Sequence, residues 1–133
     1  MAFTFRAGNT LSTNAGTFTS YTRTITGSGV HDIEETVPSG AGTVITIGVD
    51  VSAVLAFGVS STKTGTLTIN DDGTPDATIS LTANVPVVWV AGASSQYPSS
   101  NPLGSVDITS MKFTQSSGAD ATLSFACLYD ATP

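Results

Sequence analysis

Charge is what this chain has least of. Asp, Glu, Lys and Arg together make up 11% of its 133 residues, less than half of the roughly 25% found in an ordinary globular domain. Cations are scarcest: Arg6, Arg23, Lys63 and Lys112 stand against ten acids, for a net charge of -6. A phosphate backbone would be repelled by such a protein, which excludes nucleic acid as a direct partner. The single cysteine, Cys127, rules out an intramolecular disulfide. It alternates with Ala121, Leu123, Phe125 and Tyr129 on an apolar face, with no His, Arg or Lys beside it to make a thiolate, and so reads as a core residue. There is one histidine, His31, and no G-x-S-x-G elbow, Walker sequence, G-x-G-x-x-G or N-x-[ST] sequon. A Ser-His-Asp triad would have to use that one imidazole. The expectation is a non-enzymatic protein with no catalytic residue, no metal and no cofactor.

Two further absences concern location and fold. The opening MAFTFRAGNTLS lacks the basic segment and apolar run of a signal peptide, and no apolar stretch approaches the roughly 18 residues of a membrane span. The expectation is synthesis and folding in a cytoplasm without membrane contact. No helical period runs long enough to count.

Small hydroxyls fill the space that charge leaves, with 22 threonines and 17 serines. They alternate with apolar residues at the period of a strand. Thr66–Val90 (TLTINDDGTPDATISLTANVPVVWV) is the clearest case. Leu67 and Ile69, then Ile79 and Leu81, flank a polar turn over residues 71–76 and make a β-hairpin. Pro86 then marks a strand start or sheet edge, because it cannot donate to a ladder. Thr43–Ser52 puts Ile45, Ile47, Val49 and Val51 on one face, and Leu55, Phe57 and Val59 continue that parity after a tight bend or by continuation. In Ser105–Gln115, Val106 and Ile108 share one face and Met111 and Phe113 the other, which a β-bulge near Thr109 or Ser110 would reconcile. Ala121–Tyr129 is the last strand.

Eight to ten short strands punctuated by Gly, Pro, Asn and Asp predict an all-β antiparallel sandwich, jelly-roll or immunoglobulin-like, with a closed barrel as the alternative. Residues 1–16 read as an N-terminal arm or edge strand and 17–133 as one sandwich domain. Thr17–Thr26 has no strongly apolar face and reads as an exposed or interface strand. Ala91–Gly104, with two prolines and four serines, is the longest stretch without strand character.

Three groups of residues could carry chemistry. His31, Asp32, Glu34 and Glu35 offer metal ligands, but alternation splits them, Asp32 with Glu34 and His31 with Glu35, so a solvated strand is favoured. Asp71, Asp72 and Asp76 lack the regular ligand spacing of a calcium loop and read as a turn. Trp89, Tyr97 and Tyr21 could stack against sugars, although packing or subunit contact is favoured. With Phe3 and Phe5 of the arm, these three are the candidate interaction residues.

Three segments resemble a known group. DVSAVLAFGVSS at Asp50–Ser61, TISLTANVPVVWV at Thr78–Val90 and VDITSMKFTQSSGADATLSFACLYDATP at Val106–Pro133 look like small all-β structural proteins of tailed bacteriophages and prophages. The closing LYDATP is similar to their LYDPTP-type ending, with Ala131 in place of a proline. The resemblance implies a virion protein, made in the host bacterial cytoplasm, that decorates or cements the capsid. Its partners would be the major capsid protein or other virion proteins, in a homo-oligomer with a trimer preferred. A tail or fibre component and a glycan-binding module are the alternatives. Residues 1–16 would then reach across to the shell or a neighbouring subunit.

Overall fold

A computed structural model describes residues 3–13, 16–27, 29–40, 42–92 and 100–130. Among them are ten strands: β1 (Phe3–Thr13), β2 (Gly16–Gly27), β3 (Gly29–Val37), β4 (Thr43–Val49), β5 (Val54–Ser61), β6 (Gly65–Ile69), β7 (Ala77–Leu81), β8 (Val87–Val90), β9 (Ile108–Gln115) and β10 (Ala121–Tyr129). Alternation makes them. In β4, Ile45, Ile47 and Val49 are buried while Val44, Thr46 and Gly48 face outward, a period of two with β-branched residues on the covered face.

β3 to β10 behave as one long hairpin rolled up on itself. Its tip is the β6–β7 pair, and behind the tip β5 pairs β8, β4 pairs β9 and β3 pairs β10, all antiparallel. Rolling adds the β5–β10 and β6–β9 pairs, which close two four-stranded sheets, β3-β10-β5-β8 and β4-β9-β6-β7. Two facing sheets of this order form an antiparallel β-sandwich of the jelly-roll type. β1 and β2 stand outside it as a two-stranded ribbon.

The core lies between the sheets. Phe57, Phe113, Phe125, Leu67, Ile69 and Met111 are almost completely buried there. The Phe57 ring lies 6.2 Å from Phe125 and 6.3 Å from Trp89, centroid to centroid, within the range of favourable aromatic contact. Cys127 is fully buried among them, and burial pushes its thiol up to about 12. Gln115 is the largest buried polar side chain, and it ties the sheets together. Its Nε2 donates to the Val37 carbonyl of β3 at 3.1 Å and to Ala119 at 2.7 Å, while Oε1 accepts from the Ser117 amide at 2.9 Å.

Irregularities sit where the alternation breaks. Ile108 and Met111 are both buried with Thr109 and Ser110 between them, so the parity break falls at the expected place. Asn70, with φ of 51°, holds it: its Oδ1 accepts from the amides of Thr109 at 2.8 Å and Ser110 at 3.3 Å. The pairing of β4 with β9 slips at the same level, between Thr46 and Val49. Val106, read as a strand residue, is 49% exposed and precedes β9. The bend after β4 is a one-turn 3₁₀ helix, Val51–Ala53, capped by Asp50, whose Oδ1 accepts from the Ser52 amide at 3.0 Å. It carries the chain from one sheet to the other. Leu55 does not keep the parity of Phe57 and Val59. The β5–β10 register shifts between Leu128 and Tyr129, and Leu55 turns out to join Ala56, Val88, Val90 and Leu128 in a small cluster apart from the main core. Pro86 immediately precedes β8, an edge strand, where its missing N–H costs no ladder bond.

Candidate functional site

Four titratable residues, His31, Asp50, Tyr129 and Asp130, come together at one end of the sandwich. His31 of β3 stacks on Tyr129 of β10 with ring centroids 5.0 Å apart, and both line a cleft of about 300 Å³ with Gly48, Val49, Asp50, Ala53 and Asp130. The stack follows from register: Gly29 is paired with Tyr129 and His31 with Cys127. With no side chain on Gly29, the Tyr129 ring crosses its Cα, and a Cβ there would overlap the ring. The cleft does not assemble a triad, since the Ser52 hydroxyl donates to Asp50 Oδ1 at 2.6 Å where a nucleophile would need an imidazole. That bond, with the Ser52 and Ala53 amides, holds the Asp50 carboxyl below its ordinary value.

The other half of the acidic group points elsewhere. Asp32 and Glu34 pair with Ala126 and Ser124, the outward positions of β10, and both are exposed. Glu35 is exposed on the opposite face of the strand. Among the described residues no group of three His, Cys, Asp or Glu side chains could share a metal ion. In the β6–β7 turn, Asp71 and Asp72 are occupied as turn acceptors, for the amides of Gly73 at 3.0 Å and Thr74 at 3.4 Å. The Gly73 bond, with Thr68 and Lys112 nearby, lowers the Asp71 carboxyl below its ordinary range.

The candidate interaction residues are divided. Trp89 is 7% exposed and packed in the core, so its ring is spent on Phe57 and presents no platform to a sugar or a neighbour. Tyr97 lies outside the described residues, as do Met1, Ala2 and Ala131–Pro133. Phe3, Phe5 and Tyr21 share the β1–β2 ribbon, where Phe3 is paired with Gly27, Phe5 with Ile25 and Tyr21 with Asn9. The residue 16/17 boundary falls at the ribbon's turn, where Thr13 pairs Gly16.

Three features were not visible in sequence. One is the joint of the ribbon. Only Ser28 separates β2 from β3, and a Cβ on Gly27 would fall against Leu128 and the Tyr129 carbonyl, so the ribbon's base is pressed onto β10. The Gly-Ser-Gly triplet was the signal. A second is the outer face of the β4-β9-β6-β7 sheet. Register places Thr114, Thr66 and Ser80 in one cross-strand row, and Lys112, Thr68 and Thr78 in the next. It is a lattice of hydroxyls, bordered on β4 by the exposed Val44 opposite Lys112, and its one cation, Lys112, lies 3.6 Å from Asp71. At its end a groove of about 540 Å³ runs between Thr64, Thr66, Ser80, Thr82, Thr114 and Ser116. The third is the edge of β3, which hydrogen-bonds to β10 alone among the described strands. No protein-family model, no curated protein and no solved structure matches the chain.

Proposed function

We propose that this protein is a non-enzymatic structural component of a bacteriophage virion, a capsid decoration protein that binds the major capsid protein of the head shell. The observation that carries this reading is the hydroxyl lattice of the β4-β9-β6-β7 sheet, whose only cation is offset by Asp71. Copies displayed side by side on a shell repel one another through dense like charge, and a face of threonine and serine avoids that. The sequence resemblance to tailed-phage structural proteins supplies the setting. Jelly rolls serve in both capsid and lectin domains, so the fold suits the reading without selecting it.

The test is co-sedimentation of the purified protein with empty phage shells, with light scattering of the protein alone. Saturable binding at a fixed ratio to the shell protein is the expected result. A protein that leaves every tested shell in the supernatant overturns the decoration reading.

The groove of hydroxyls favours a second reading, a tail or fibre module that holds a neutral glycan. Retention on a glycan array, lost on Ser80→Val with Thr114→Val, would identify it.

A further inference from the structure

The four sheet edges of the sandwich are not alike. β8 has four residues and starts behind a proline, β7 has five, and β4 has seven with a register slip. Each is a poor template for another strand, being short or bent. β3 has nine residues in unbroken register with β10, and no described strand covers its other side. Among the described residues it is a long regular edge whose outward N–H and C=O groups pair with no strand, which ordinarily invites a further strand.

The β1–β2 ribbon has the reverse problem. Its strands have 11 and 12 residues, a length on the order of 35 Å, with its contacts to the sandwich chiefly at β5 and β10. Two strands alone are at best marginally stable in water, and a third strand is the usual remedy.

Charge says which surfaces belong together. Residues 1–27 contain Arg6 and Arg23 and no acid, a net +2, whereas residues 28–133 hold all ten acids against Lys63 and Lys112, a net -8. The boundary between the two signs is the joint between ribbon and sandwich. On β3 itself Asp32, Glu34 and Glu35 are exposed, so two β3 edges brought together would set carboxylate against carboxylate, and two ribbons would set arginine against arginine. Ribbon on edge is the combination that attracts. Within one chain the ribbon does not pair with β3, since β1 and β2 form a separate two-stranded sheet.

We propose that the ribbon of one copy adds as extra strands to the β3 edge of a second copy of this chain, the net positive charge of residues 1–27 meeting the acidic strand that carries Asp32, Glu34 and Glu35. The contact joins two different surfaces, so it propagates head to tail and closes into a ring when the rotation allows. The inference stands on one protomer's geometry and does not depend on the virion reading.

Charge reversal tests it. Light scattering and sedimentation of the full chain should show an oligomer that weakens in 1 M salt, where the Debye length is about 3 Å. Arg6→Glu with Arg23→Glu, and separately Asp32→Lys with Glu34→Lys, should each loosen assembly at least tenfold. An equimolar mixture of the two reversed proteins sets the wild-type ribbon of one against the wild-type β3 edge of the other, and the two reversed surfaces against each other, so mixing should recover assembly. The chain carrying all four substitutions should assemble again. Far-UV circular dichroism and protection of the Cys127 thiol establish that each variant is folded. A monomeric wild type, reversed variants that assemble as the wild type does, or a fourfold variant that stays dissociated overturns the proposal. Failure to bind shells would not touch it, since no shell protein enters the measurement.

Discussion

The sandwich and the ribbon are written in the same alphabet and differ in what lies behind each strand. In the sandwich every second residue meets a facing sheet, and Phe57, Phe113, Phe125 and Leu67 have no appreciable exposure. In the ribbon the same alternation of threonine with apolar residues makes two paired strands whose register shifts once, between Asn9 and Leu11, with no second four-stranded layer of their own. Alternation therefore specifies a strand, and only a second layer makes it stable.

The contrast breaks most sharply with one core substitution. Phe113→Ala is expected to cost about 3–5 kcal/mol, a large part of the roughly 5–15 kcal/mol that holds a domain together. Tyr21→Ala in the ribbon should move the urea midpoint of the sandwich by less than about 0.5 kcal/mol equivalent. Alkylation of Cys127 follows both, because the thiol is buried and held protonated and reacts only when the sandwich opens.

A smaller effect comes from the tie between sheets. Gln115→Leu keeps the volume and abandons the Val37 and Ala119 carbonyls and the Ser117 amide. Of these only the Val37 carbonyl is buried, and leaving it without a partner costs about 1–3 kcal/mol, while the Ala119 carbonyl keeps the Ser117 hydroxyl. Urea melts should show the loss, with the β1–β2 ribbon unaffected.

The joint sharpens the comparison from the other side. Gly29→Ala forces the Tyr129 ring off β3 and away from His31, an overpacking expected to cost about 1–3 kcal/mol. Near-ultraviolet circular dichroism should report the displaced ring, and assembly should weaken along with it.

The smallest effect is electrostatic. The Asp71 carboxyl sits below its ordinary value of 3.8, so it binds its proton less readily in the folded chain than in the unfolded one. Its contribution is fully present above pH 3.8 and is lost as pH falls through the lower folded value. Asp71→Ala should lower the melting temperature slightly at pH 6, and the difference from wild type should vanish in strong acid. The carboxylate is partly buried at the surface and its ion pair is screened by water, so a shift of a degree or two is the scale to look for.

Much of the sandwich was legible because its cues are local. The β6–β7 hairpin is close in sequence and has an Asx-rich turn, Pro86 announces an edge, and the parity break at Thr109 and Ser110 predicts its own irregularity. The sheet order was not legible. Apart from β6–β7, every neighbour in the sandwich comes from a distant part of the chain, and alternation records which face is covered without recording by what. Leu55 was misread for that reason: the bulge that turns it outward is created opposite Leu128, some seventy residues on. Trp89 was ambiguous in an apolar run until Phe57 was found beside it. The acidic β3 read correctly as a solvated strand, but that it forms an edge depends on which strands fail to reach it.

The rolled arrangement also bears on how the chain comes off a ribosome. β9 and β10, each one of the two inner strands of its sheet, follow every strand they join. Until residues 108–129 have been made, β3, β4, β5 and β6 lack one or both neighbours, and of the sandwich pairs only β6–β7 and β5–β8 can form. Their apolar faces must wait uncovered through that interval, which is when a nascent β chain is most prone to aggregate. A sequence so rich in threonine and serine lowers the stickiness of those waiting strands, so the hydroxyls that leave the finished surface bland also protect the unfinished one.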